Sequence, residues 1–191
     1  MIIIKTQVLC LLVAGDTFVT TRKNMQDLLN NMRVNPPLFV GWSDNESLPC
    51  LVDLTKDEKE ETFKVLQEIL CSTDKVIKVN THGLNLPCLV GVLLGFPLVY
   101  NFSEQVINPL DNLDLVVVRM EVTAPGLEKT PATPVSFSVP LKLKTEEKVV
   151  NRLNLWWGNL SGGLSFGVPF SQGGLTLTLY QQIENLPTVM L

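Results

Sequence analysis

From Leu86 to Tyr100 the chain runs fifteen residues without a charge, punctuated by Pro87, Gly91, Gly95 and Pro97. Such a run must be buried, yet it is shorter than the roughly 20 residues that cross a bilayer. No Lys or Arg follows it within ten residues, so the cationic anchor of a membrane span is missing as well. The run therefore belongs to a core. Pro is favoured at a helix start and Gly at its end, which predicts a buried helix over Pro87 to Gly95 and a strand over Pro97 to Phe102.

Elsewhere two periodicities alternate. Gln7 to Val13 and Thr17 to Thr21 read as strands of a hairpin pivoting on Gly15-Asp16. Met25, Leu28, Leu29 and Met32 lie at i, i+3, i+4 and i+7, giving a helix over Lys23 to Arg33 that stops before Pro36-Pro37. Strands follow at Leu38 to Trp42 and Cys50 to Asp53. Thr55-Lys-Asp-Glu58 is a capping box heading a helix whose inner face is Phe63, Leu66, Ile69 and Leu70, ending near Ser72. Lys75 to Val79 and Leu113 to Thr123 read as strands. Val135, Phe137, Val139, Leu141 and Leu143 alternate with Ser136, Ser138 and Lys142, a strand over Val135 to Leu143 that is solvated on its outer face, with Pro140 marking a sheet edge. Glu146 to Trp157 is helical in period, Gly158 to Gly174 is a Gly-rich loop, and Leu175 to Tyr180 is a final strand. The fold class expected is α/β or α+β, one domain over residues 1–191, with two to four helices packed on a mixed sheet.

Composition narrows the partners. A net charge of -4 and a pI near 5.0 oppose the basic footprint that neutralises phosphates, so nucleic acid is not expected. Only 18% of residues are charged, against about 25% in a typical domain, which leaves surface for a partner to cover. Cys10, Cys50, Cys71 and Cys88 contain no C-x-x-C and sit among apolar residues, the texture of reduced thiols in a cytosolic protein. The alternative is secretion through residues 1–15, whose apolar run Val8 to Ala14 ends in small residues. Against it, Ile2 to Ile4 occupy the place of a basic n-region, and cleavage would leave an odd number of cysteines. The sequons at Asn45, Asn101 and Asn159 occur at a frequency close to chance.

His82 is the only histidine, so any His-dependent chemistry must use it. It sits at a strand end, and Cys88 sits near a helix start where the helix dipole can depress a thiol pKa. This admits Cys88 as a nucleophile with His82 as base; the plainer reading is a turn histidine beside a buried core thiol. Zinc on Cys71, His82 and Cys88 would lack a fourth ligand and the paired spacing of structural sites, so no metal is expected. The Gly-rich loop has no phosphate-binding motif, and no cofactor is expected. Candidate binding residues are Trp156 and Trp157 at a helix end, one of which should be core, and Phe166 and Phe170, which with Val168 alternate through the loop as a lid would.

The segment Leu86-Pro-Cys-Leu-Val-Gly-Val-Leu-Leu-Gly-Phe-Pro-Leu-Val-Tyr-Asn-Phe102 resembles a signature of an uncharacterised vertebrate family named after a human chromosome-1 open reading frame. The resemblance covers that segment and the strand after it. It implies no activity, cofactor or catalytic residue. It does imply further sequence before the position matching Met1, so the domain is expected either to begin there or to be entered midway. Taken together, the residues suggest a non-catalytic cytosolic protein-interaction module with an unknown protein partner. The alternative is a small cysteine-dependent hydrolase or transferase using Cys88 and His82.

Overall fold

The computed structural model describes residues 8–42, 48–102, 110, 113–124, 132–161, 170–172 and 175–185. In chain order these form β1 (Val8–Val13), β2 (Asp16–Thr21), α1 (Arg22–Val34), β3 (Leu38–Gly41), β4 (Cys50–Val52), α2 (Lys56–Cys71), β5 (Val76–Lys78), α3 (Leu86–Leu93), β6 (Leu98–Tyr100), β7 (Asp114–Thr123), β8 (Ala132–Pro140), a 3-10 turn (Leu141–Leu143), α4 (Glu147–Ser161), β9 (Phe170–Gln172) and β10 (Leu175–Asn185). The architecture is α+β. The strands divide into three small sheets rather than one, ordered β2-β1-β5, β4-β3-β6 and β8-β7-β10-β9.

The first sheet begins with the hairpin read from Gly15-Asp16. Val13 pairs with Asp16, and the two turn residues Ala14 and Gly15 have φ of 50° and 100°, the left-handed pair that matches the twist of the strands. Leu9, Leu11 and Val13 alternate inward from β1, the central strand of this sheet, which also pairs in parallel with β5. They pack in one core cluster with Met25, Leu29 and Met32 of α1 and Val65, Leu66 and Ile69 of α2. The capping box forms as read: the Glu58 N–H donates to Thr55 Oγ1 at 3.3 Å, and the Thr55 N–H donates to Glu58 Oε2 at 2.7 Å. At the other end of α2, the Arg22 guanidinium donates to the carbonyls of Leu70 and Ser72, placing a cation where the helix dipole is negative.

In the second sheet, β3 pairs antiparallel with β4 and parallel with β6. The helix α3 lies against β6 at Gly91, where a Cβ would stand 3.0 Å from Val99 Cγ1; the absent side chain permits this close approach. The third sheet is antiparallel, and α4 covers one face of it. Val149, Leu153 and Trp157, one per helical turn, join Val116, Val118, Phe137 and Val139 in a second core cluster. Phe96 packs against both clusters and so ties the layers together.

Most boundaries shift by one or two residues, and the larger departures from the sequence reading lie in the C-terminal half, where β8 already starts at Ala132. The strand over Val135 to Leu143 ends at Pro140, and Leu143 reaches the core from the 3-10 turn instead. Helix α4 continues past Gly158 to Ser161, whose hydroxyl donates to the Trp157 carbonyl at 2.8 Å. Phe170 lies in β9, paired with Leu177, and not in a loop. The last strand runs on to Asn185 because Gln181 to Asn185 pair with Val118 to Asp114 despite their polarity. The edge expected for β8 is present among the described residues, where its one strand neighbour is β7.

Candidate functional site

The surroundings of Cys88 are built from a chain of amides. Asn85 caps α3, its Oδ1 accepting the Cys88 N–H at 3.0 Å. Its Nδ2 donates to Asn101 Oδ1 at 2.9 Å and to the Phe102 carbonyl at 2.7 Å. Asn101 Nδ2 in turn donates to Glu58 Oε1 at 2.9 Å. Partial burial alone would raise the Glu58 pKa, but the bonds from Asn101 and Thr55 and the charge of Lys59 outweigh it and hold the carboxyl below its ordinary value. A cavity of about 220 Å³ borders Glu58, Asn85, Cys88 and Asn101; His82 is not on its wall. His82 is exposed, its backbone N–H donating to Asn80 Oδ1 at 3.1 Å in a local turn.

The helix start does not activate the thiol. Burial, and then the negative charge of Glu58, push the Cys88 pKa up to about 12, the opposite of the depression expected from the helix dipole. Desolvation wins because the side chain is 4% exposed. A raised folded-state pKa adds stability below the ordinary thiol value of about 8.5 and loses it as pH climbs toward 12. The four free thiols should therefore separate by exposure. With an aromatic disulfide reagent at pH 7.5, the exposed Cys71 is expected to react first and Cys88 last, at a rate that follows unfolding. Prompt native labelling of Cys88 would overturn that assignment.

The tryptophan pair divides. Trp157 is 0% exposed and faces the sheet, with its Nε1 lacking a hydrogen-bond partner among the described residues. Trp156 is half-buried, edge-on to Phe137 with ring centroids 5.3 Å apart. Along α4, Arg152, Leu155, Trp156 and Asn159 stand at i, i+3, i+4 and i+7, and this stripe forms one wall of a cleft of about 110 Å³. The other walls are the last turns of α1, with Asn31 and Asn35, and the turn Gly95 to Pro97. Arg152 Nη1 donates to the Asn35 carbonyl at 3.1 Å, and burial draws its pKa below the usual value. Exposed apolar side chains flank these elements: Val34, Leu94, Leu155 and Leu160. Of the other two candidates, Phe166 lies outside the described residues, and of Phe170 the backbone pairing in β9 is described. Sequence periodicity identified Trp156 but not Arg152 or Asn35, which are 117 residues apart and meet through packing.

A third concavity, about 400 Å³, is lined by residues of α3 and β6 on one side and of β7, β8 and β10 on the other. Its walls are mainly apolar, with Val90, Phe96, Val117 and Phe137 among them. Tyr100 Oη donates to the Ser138 carbonyl at 3.0 Å and lies 3.0 Å from Ser138 Oγ, joining β6 to β8. Burial raises the Tyr100 pKa despite the bond to Ser138, so the phenol stays protonated. Arg119 Nη2 pairs with Glu184 Oε1 at 2.7 Å, and Nη1 donates to Gln182 Oε1 at 3.4 Å. The solvated outer face expected for β8 is thus one wall of a groove. Pro140, opposite Leu115, has no N–H and so occupies an outward position of the edge, and the regular two-residue period of the ladder puts the N–H groups of Ser136 and Ser138 on the same side.

Among the described residues, no group of three His, Cys, Asp or Glu side chains could hold a metal ion. No described helix is long and apolar enough to cross a membrane. No curated protein and no solved structure matches the chain. A family model, described as a domain of unknown function (DUF4504), matches residues 3–165. The match ends before β9 and β10, although β10 pairs with β7 from Thr176 to Asn185. With most of its length matched by that model, the chain belongs to the DUF4504 family.

Proposed function

We propose that this domain is a non-catalytic protein-interaction module of the cytosol, and that it docks its partner in the cleft lined by Trp156 and Arg152. The observation that carries this reading is the pairing of a half-buried tryptophan with a partly desolvated arginine, inside a ring of exposed leucine and valine side chains. Trp and Arg are the residues most enriched at interface hot spots, where the surrounding apolar contacts exclude water. Among the described residues Arg152 is the one charged residue lining the cleft and its other polar neighbours are asparagines, so the segment recognised should carry an apolar side chain beside a carboxylate. Strand addition at β8 is less well supported, because Pro140 lacks an outward N–H and Tyr100 engages the Ser138 carbonyl.

The reduced cysteines support the cytosolic location, and the acidic pI supports a protein rather than a nucleic acid as partner. The vertebrate identity of the family rests on the segment Leu86 to Phe102. Nothing in the geometry favours the cysteine hydrolase or transferase reading, since Cys88 is held as a neutral thiol and His82 is not on the wall of its cavity.

A displayed library of random dodecapeptides tests the proposal. Panning on the wild-type domain should enrich sequences with an apolar residue next to Asp or Glu. Binding should fall at least about 30-fold with Trp156→Ala, the equivalent of a 2 kcal/mol hot spot. Leu155→Asp, at an exposed position, should weaken the same peptides without unfolding the chain. Failure to enrich above bare support, or binding undiminished by both variants, would reject the reading.

A further inference from the structure

We infer that the groove between β6 and the antiparallel sheet is a second site, one that takes a neutral, largely apolar small molecule with a single hydrogen-bonding head group. At about 400 Å³ it is within the roughly 300–1,000 Å³ of small-molecule pockets. Phe96 is on the wall of both this groove and the Trp156 cleft, whereas Tyr100, Arg119, Ser136 and Glu184 line the groove alone. Val90 and Phe96 are half-buried, and with Val117 and Phe137 they give the body of a ligand an apolar bed. The Tyr100 to Ser138 bond ties β6 to β8 beside the groove, which favours a compact occupant over an extended chain laid between the two strands.

The polar end is set by Arg119 and Glu184, which cancel one another at 2.7 Å. A carboxylate drawn to Arg119 meets the charge of Glu184, and an ammonium drawn to Glu184 meets that of Arg119. A neutral amide or alcohol escapes both penalties. A guanidinium carries five N–H donors, and the bonds to Glu184 and Gln182 leave others for a ligand oxygen. Glu184 Oε2 and the hydroxyl of the exposed Ser136 can meet a ligand N–H or O–H. The discrimination is therefore by charge, and it predicts how the site changes when one partner of the pair is neutralised.

The probe is Nile red, a neutral apolar dye whose emission rises in a dry site, displaced by three ligands with the same ten-carbon chain: decanamide, decanoate and decylammonium, each below its micellar concentration. Wild-type protein should bind the dye, with decanamide displacing it at about one-tenth the concentration of either charged ligand. Ser136→Trp at the exposed rim and Val90→Trp on the wall should each weaken dye binding about tenfold; the rim variant keeps the test valid if the wall variant does not fold. Glu184→Gln, which leaves Arg119 unpaired, should reverse the order so that decanoate displaces better than decanamide. Absence of dye binding, binding insensitive to Ser136→Trp, or equal displacement by all three head groups would overturn the inference.

Discussion

Trp157→Ala should cost the fold about 3–5 kcal/mol, the range for deleting a buried aromatic side chain. For a chain of this length each kcal/mol lowers Tm by roughly 2–4 °C, so the shift should approach or exceed 10 °C. The size follows from position: Trp157 is fully buried, and it seats α4 on Val116, Val118 and Val139 of the sheet. Its neighbour is the internal control. Trp156→Ala removes a half-buried ring and one edge-on contact with Phe137, and should cost a small fraction of that amount. Trp157→Phe should fall between, because it loses volume but also deletes a buried indole N–H that has no acceptor among the described residues, and an unsatisfied donor costs about 1–3 kcal/mol. Urea denaturation of the three variants ranks them. Equal losses for Trp156→Ala and Trp157→Ala would contradict the division of the pair into one core residue and one cleft residue.

That division could be anticipated from sequence because helical spacing separates Val149, Leu153 and Trp157 from Arg152, Leu155 and Trp156. Other features were legible for equally local reasons. The capping box needs Thr55 and Glu58 three apart, and the first hairpin needs a Gly where φ is positive. Local pattern failed where a distant partner decided the outcome. Gln181 to Asn185 carry no apolar alternation, yet they extend β10 because β7 offers them a full ladder. Leu141 and Leu143 continue the two-residue period of β8, but a 3-10 turn after Pro140 also delivers Leu143 to the core. Arg119 and Glu184 are 65 positions apart in the sequence, so no window of residues could foretell their pair. For Cys88 the sequence shows the helix start, whereas the burial and the Glu58 charge that raise its pKa are set by packing between distant elements.

Asn85→Ala should cost about 2–4 kcal/mol, more than loss of a helix cap alone. The cap, worth about 1 kcal/mol, is the bond from the Cys88 N–H. The remainder comes from the other end of the amide: without its Nδ2, the carbonyl of the buried Phe102 and the Oδ1 of Asn101 each lose a donor. Asn85→Asp separates these contributions. Aspartate caps helices as well as asparagine does, but it has no N–H for Phe102 or Asn101 and adds a negative charge to a cavity that already holds Glu58. It should therefore fail to rescue, whereas a simple capping role would be fully restored. Acid titration reads the same chain from its far end. Because the folded pKa of Glu58 is depressed, its ionised form adds stability above the unfolded value of about 4.3, and that stability is lost as pH falls through the folded pKa. Asn101→Ala removes a bond that holds the carboxyl down, so the variant should gain less on raising the pH through this window than the wild type does. Rescue by Asn85→Asp together with an unchanged acid profile in Asn101→Ala would show that the amide chain is not a unit, and that α3 is held by its cap and its packing against Val99 alone.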